Sequence, residues 1–303
     1  MKKLSLIFLA LTALTLTACK DEPDGPKAPE LPQPKEGYVI VDGKEYAVDN
    51  VRLDVLSLND NGFWFTITTE NNYILNLQVA TNHNGKTVDL SRLDPNAEDP
   101  GAWKYYIQFD NIPLAYGTKI QNYKLCQEGS YLKVKKVNDR KFDIEFSLVN
   151  PDGVAAAFKY NGVFIPDMEN PYEPQIYYDG TLYDMNSYKY DTPTRLVIKA
   201  SSGLELTIAF DEANNNKQIA LDGPDPVTGQ AGKQPYVITV KPAGGSATTI
   251  VNGSATSLGS YAVHGSYLWV NNISGKKYSA RANIVTDNHQ LAFYFPPTEF
   301  AQL

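Results

Sequence analysis

Past residue 37 the apolar residues alternate with polar ones over short stretches. Phe142, Ile144, Phe146 and Leu148 are interleaved with Asp143, Glu145 and Ser147, a period of two that sets the apolar residues on one face of a strand. The same alternation runs through Val51, Leu53 and Val55, through Tyr73, Leu75, Leu77 and Val79, and through Leu204, Leu206, Ile208 and Phe210. Asp-Gly pairs at 42–43 and 179–180 lie between apolar runs and supply the positive φ angles of tight hairpin turns. No stretch of ten or more residues in this part has a convincing helical period. The pattern predicts an all-β chain.

The pattern also recurs. Gly129-Ser130-Tyr131-Leu132-Lys133-Val134 returns as Gly265-Ser266-Tyr267-Leu268-Trp269-Val270, a register of 136 that continues for thirty positions and sets Phe142 against Tyr278, Val149 against Val285 and Phe158 against Tyr294. Upstream the register is 131, pairing Lys86, Val88 and Leu90 with Lys217, Ile219 and Leu221, and Tyr105, Ile107 and Phe109 with Tyr236, Ile238 and Val240. At the start it is 137, where Val41-Asp42-Gly43 returns as Tyr178-Asp179-Gly180. Three registers in the same order are what loop insertions in two copies of one domain produce. They predict one β domain at 37–166, a linker at 167–173 and a second copy at 174–303. Eight to ten short strands in each copy fit two packed antiparallel sheets, a β-sandwich, with a closed β-barrel as the alternative.

The N-terminus has a different character. Lys2 and Lys3 precede an apolar run from Leu4 to Thr17, too short for a transmembrane helix with its usual flanks and typical of a secretory signal peptide. Leu16-Thr17-Ala18-Cys19 resembles the lipobox of bacterial lipoproteins. The resemblance implies cleavage after residue 18 and an N-terminal lipid anchor on Cys19. Residues 20–36, KDEPDGPKAPELPQPKE, hold five prolines and few large apolar groups, so residues 19–36 are expected to form a disordered, semi-rigid tether of roughly 50 Å.

Composition narrows the function. The chain has 27 Lys and Arg against 34 Asp and Glu, and the signal segment takes away two lysines and no acid. A general nucleic-acid binder needs a basic stripe to displace counterions, so no nucleic-acid partner is expected. With Cys19 lipidated, Cys126 has no intramolecular partner and is expected to be a small buried hydrophobe.

Catalytic chemistry is sparse. His83, His264 and His289 occur singly, without metal-ligand spacing or a nucleophile elbow, so neither a metal nor another cofactor is expected. Asn- and Asp-rich loops at 58–62, 81–85 and 211–216 hold oxygen ligands suited to Ca²⁺ but lack the regular spacing of a calcium loop, and such residues also favour turns. Aromatic residues are the better lead. The chain has 20 tyrosines, and Tyr172, Tyr177, Tyr178, Tyr183, Tyr188 and Tyr190 cluster near the junction of the two copies. A tyrosine or tryptophan offers a flat apolar face with a polar tip, which suits sugar rings or a partly wet protein interface. Trp64, Trp103, Trp269, Tyr172, Tyr177, Tyr188 and Tyr190 are therefore the candidate ligand-binding residues. Trp64 stands between Phe63 and Phe65 and faces outward if these two fill the core.

The lipobox, the acidic Lys20-Asp21-Glu22 after Cys19, the proline-rich tether and the tandem β domains together resemble the surface lipoproteins of Bacteroidetes-type bacteria. The resemblance implies an outer-membrane protein, lipid-anchored and facing the cell exterior, that binds an extracellular ligand without catalysis, glycan ahead of protein. Glycan-binding lipoproteins of starch-utilisation type share the anchor and the strung β domains. The alternatives are a fimbrillin-type adhesive component and, further off, a glycoside hydrolase working through two facing carboxylates. Fimbrillin-type maturation cuts after an arginine, and a cut at Arg52 would strip the opening hairpin that the second copy retains.

Overall fold

The computed structural model describes residues 30–92, 105–117, 124–168, 174–222, 236–252 and 262–303. Cys19, Trp103 and Tyr172, together with the signal segment and the tether as far as residue 29, lie outside the described residues.

The alternating stretches resolve into strands whose apolar set is buried. In the first half these are β1 (Tyr38–Val41), β2 (Lys44–Asp54), β3 (Gly62–Thr69), β4 (Ile74–Ala80), β5 (Thr87–Asp89), β6 (Tyr105–Phe109), β7 (Ile112–Tyr116), β8 (Tyr131–Asn138), β9 (Lys141–Val149) and β10 (Ala155–Val163). They form one antiparallel path in the order β5-β8-β9-β10-β1-β2-β3-β4-β6-β7, and β11 (Ile165–Asp167) adds a parallel pairing to the end of β2. The Asp42-Gly43 turn joins β1 to β2 with φ of 48° and 76°, the left-handed pair of a two-residue hairpin.

The path bends within β2. Residues Lys44 to Ala47 pair with β1, whereas Val48 to Asp54 pair with β3, and the register shifts between Val48 and Asn50. A bulge of this kind lets a long strand leave one layer and enter the next. The two layers then pack face to face: Phe142 of β9 meets Phe63 and Phe65 of β3 at ring-centroid distances of 5.1 and 5.0 Å. Among the described residues the path ends at β5 and β7 without closing, so the arrangement is a sandwich rather than a closed up-and-down barrel. Cys126 lies in this core at 7% exposure, with burial pushing its thiol up to about 12, as a small buried hydrophobe requires.

The second half repeats the design. Strands β12 (Gln175–Tyr178), β13 (Thr181–Thr192), β14 (Arg195–Ala200), β15 (Glu205–Phe210), β16 (Lys217–Ala220), β17 (Tyr236–Lys241), β18 (Thr248–Asn252), β19 (Tyr267–Asn272), β20 (Lys277–Val285) and β21 (Gln290–Glu299) follow the order β16-β19-β20-β21-β12-β13-β14-β15-β17-β18. Each takes the place of its counterpart, and β22 (Ala301–Gln302) runs parallel to β13 as β11 does to β2. Local hydrogen bonds repeat as well. The buried hydroxyls of Ser130 and Ser266 accept the backbone N–H of Val149 and Val285 at 3.2 and 3.1 Å.

The register changes fall in three definable places. The change from 137 to 131 is an insertion between β2 and β3, where the first domain carries a 3-10 turn at Val55–Leu58 and the second passes directly from Thr192 to Arg195. The change from 131 to 136 is a longer β17–β18 turn. The expected unbroken register of 136 beyond Gly129 is corrected by one residue: Val149 faces Ala155, but Val285 faces Gln290, so the second turn is shorter. Phe158 therefore corresponds to buried Phe293 and not to Tyr294. An irregularity opposite Tyr278 and Ala280, at Pro296-Pro297, restores the register, and a residue without a backbone N–H is well placed in such a gap.

The tether also ends earlier than residue 36. Pro32 accepts a hydrogen bond from Ser147 Oγ at 2.6 Å, and the Glu36 carboxylate accepts the Asn161 N–H at 2.7 Å, which fix this segment against β9 and β10. The corresponding outer face of β20 in the second domain is covered by β11. There the buried Asp167 carboxylate accepts from Arg281 at 2.6 Å and from the Asn283 amide at 2.7 Å, and lies 3.5 Å from Arg52. Arg140 donates to the carbonyls of Thr286 and Asp287, and the fully buried Gln290 amide donates to the Phe164 carbonyl at 2.7 Å. Gly265, at φ +88°, lets the chain pass Ile165, whose Cδ1 would lie 2.9 Å from a β-carbon.

A histidine completes this junction. His264 Nδ1 lies 2.5 Å from Asp222, and its Nε2 lies 3.0 Å from Asp49 in the first domain. The hydrogen bond to Asp222 is the main cause that raises its pKa above the ordinary value of about 6.5, opposed by desolvation and aided by the Asp49 charge. A raised folded-state value means that the stabilisation is complete below about pH 6.5 and is lost as pH climbs through the folded value. Unfolding midpoints measured from pH 5.5 to 8.5 should fall slightly on the alkaline side, because the ring is mostly exposed. The fall should flatten in His264→Gln; an identical slope in the variant would exclude His264 as its source.

Candidate functional site

The inserted turn after β2 does more than lengthen a loop. Its residues Leu56, Ser57, Asn59 and Asp60 form one wall of a groove of about 670 Å³ over the outer face of β2, β3 and β4. Arg52 and Asp54 enter it from β2, Trp64 and Thr66 from β3, and Asn76 and Gln78 from β4, with Asp167 and Gln175 at the junction end. These positions alternate with the core residues Leu53, Phe65 and Leu77, so the period that fills the core also aims the polar set outward.

Trp64 is held from below. Its backbone N–H donates to Ser57 Oγ at 3.3 Å, and that buried hydroxyl also lies 2.6 Å from the Asp54 carbonyl and 3.0 Å from the Gly62 carbonyl. The indole lies over Gly62: a β-carbon there would be 2.6 Å from Trp64 Nε1. Glycine thus leaves room for the ring to lie against the strand, where it is half-buried and lines the groove. Beside it, Gln78 Oε1 is buried and has no hydrogen-bond partner among the described residues.

Two of the groove carboxylates have structural tasks. Asp54 caps the inserted turn by accepting the Leu56 N–H at 3.0 Å, and Asp167 is clamped by Arg52, Arg281 and Asn283. The Asn-rich loops likewise serve turns. Asn84 Oδ1 accepts the Lys136 N–H at 2.8 Å, Asn215 Oδ1 accepts the Asn272 N–H at 2.6 Å, and Asp211 caps Ala213 at 2.8 Å. Among the described residues no group of three His, Cys, Asp or Glu side chains is arranged to hold a metal ion. His83 ends a 3-10 turn, and His289 rests 2.7 Å from Asp179 and stacks on Tyr178.

Among the described residues the aromatic candidates do not converge. Trp64 is in the groove, whereas Trp269 is half-buried on β19, between Gln218 and Arg281 of the neighbouring strands. The proposed tyrosine surface is corrected: Tyr177, 1% exposed, belongs to the first core, and Tyr190, 9% exposed, to the second. Tyr188 packs edge-on against Phe295 and Phe300. These rings fill the sandwich because aromatics suit strand positions that bury one side. The groove's polar partners Asn59, Thr66, Asn76, Gln78 and Gln175 carried no motif. Their only signal in sequence was the register change from 137 to 131, which marks the insertion that builds the wall.

Among the described residues the second domain does not repeat this lining. By strand pairing, Trp64 and Gln78 correspond to Arg195 and Ala209, and Thr66 and Asn76 to Val197 and Thr207. No protein-family model matches the chain, and no curated protein or solved structure matches it either.

Proposed function

We propose that the protein is an outer-membrane lipoprotein, anchored through Cys19 and facing the cell exterior, that binds an extracellular glycan without transforming it. The observation that carries the glycan reading is Trp64, half-buried in the lining of a groove that also presents amides and hydroxyls. An indole face stacks on the apolar face of a sugar ring while the surrounding Asn, Gln and Thr groups exchange hydrogen bonds with its hydroxyls. Binding without catalysis is favoured because Asp54 and Asp167 are already committed to a cap and a clamp.

The position of β1 and β2 speaks against fimbrillin-type maturation. A cut after Arg52 would remove β1, which lies between β10 and β2, and most of the strand that joins the two layers. A glycan array with the purified protein tests the reading directly. For the best glycan found, Trp64→Ala should weaken binding about 30-fold, the ~2 kcal/mol expected of an anchoring aromatic. An array without a single hit, or unaltered affinity in the variant, would defeat the glycan reading.

A further inference from the structure

The groove does not belong to the first domain alone. Its junction end is lined by Arg52 of β2, by Asp167 of β11 and by Gln175, the first residue of β12 in the second domain. Arg52 stands opposite Thr66, and Thr66 opposite Asn76, so a polar row leads from this end across β2, β3 and β4 through the groove.

Arg52 is the point where groove and docking meet. Its Nε donates to Asn50 Oδ1 at 3.3 Å, its Nη1 lies 3.5 Å from Asp167, and its guanidinium carbon lies 6.0 Å from the centre of the Tyr267 ring in the second domain. A guanidinium carries about five N–H donors in a fixed fork, more than these contacts use. The side chain is 29% exposed, so the groove reaches it. Asp167 in turn accepts from Arg281 and Asn283 of the second domain. Gln175 is positioned by that domain too, with its Nε2 donating to Asp184 Oδ1 at 2.8 Å across the β12 and β13 pair.

A ligand that fills the groove to this end therefore meets Arg52 and Gln175 together, and these two residues keep their relation only while the Asp167 clamp holds the domains docked. Whatever binds the docked state better than the undocked one favours docking, and the coupling is reciprocal. Extending the glycan reading above, on which this rests, we propose that the glycan site is shared by the two domains. Arg52 donates to sugar hydroxyls at the junction end, the Gln175 amide accepts from them, and glycan binding and domain docking strengthen each other.

Isothermal titration of the full chain with the oligosaccharide that gives the strongest array signal tests the sharing. Gln175→Ala removes the second domain's contact and should lose about fivefold in affinity. Arg281→Ala loosens the clamp at a residue outside the groove lining and should lose a similar factor, about fivefold being the low end of ordinary coupling between sites. Should Arg281→Ala fail to fold, hydrogen exchange of the wild type answers the same question: the oligosaccharide should protect the amides of β19 and β20 as well as those of β2, β3 and β4. Wild-type affinity in either variant, or protection confined to the first domain, would overturn the shared site and leave a groove that binds glycan by the first domain alone. Failure of the wild type to bind any array glycan would instead remove the glycan reading, and the shared site with it.

Discussion

Asp167→Ala is expected to lower the unfolding free energy by about 3–5 kcal/mol, the range for breaking one side of a buried ion pair. The carboxylate is 3% exposed and is the shared acceptor of Arg281 and Asn283, with Arg52 at 3.5 Å. Without it, the Asn283 amide N–H loses its acceptor at a fully buried position where Oδ1 has no hydrogen-bond partner among the described residues, and Arg52 and Arg281 lose the carboxylate they share. Asp167→Asn restores an acceptor but not the charge and should fall in between. Urea unfolding followed by tryptophan fluorescence and by circular dichroism is the measurement, since Trp64 reports on the first domain and Trp269 on the second. The loss should come with separation of the single transition into two, because the removed contact joins the domains. A loss below about 1 kcal/mol would mean that the clamp is only a surface-like pair.

The second large effect is expected inside a core. Phe142→Ala should cost about 3–5 kcal/mol, as large-to-small changes of buried aromatics do. Phe142 is 1% exposed and touches Phe63 and Phe65 in the opposite layer and Phe164 at 5.4 Å, so its ring holds the two layers and the start of the junction together. Its counterpart Tyr278 does the same in the second domain, packing on Phe300 at 5.0 Å while its hydroxyl donates to the Gly275 carbonyl at 2.9 Å. Phe142→Leu, which keeps volume near the layer interface, should cost far less. A comparable loss for both substitutions would show that ring shape rather than cavity volume governs the site.

The groove beside Trp64 was half legible. Trp64 could be assigned outward from its two phenylalanine neighbours, because alternation in a strand is a local rule. Tyr177 and Tyr190 obeyed the same rule but faced the cores, since composition alone does not state which parity points inward. Arg52, Thr66 and Asn76 lie on three different strands and become neighbours only through cross-strand register. Asp167 and Arg281 lie more than a hundred residues apart and meet only where the two copies dock.

By itself the sequence determined the all-β class, the tandem copies and the hairpins at 42–43 and 179–180, because strand periodicity and left-handed turn residues act over a few positions. It also determined the order of the register changes, and so where the copies differ. Only the tertiary structure decided that the six-residue difference after β2 raises a wall beside Trp64, and that the tyrosines near the junction serve the cores. It alone joined the domains through a buried carboxylate. These features depend on which strands pair and which faces meet, and contacts between distant segments are fixed by the packing of whole layers rather than by any local spacing.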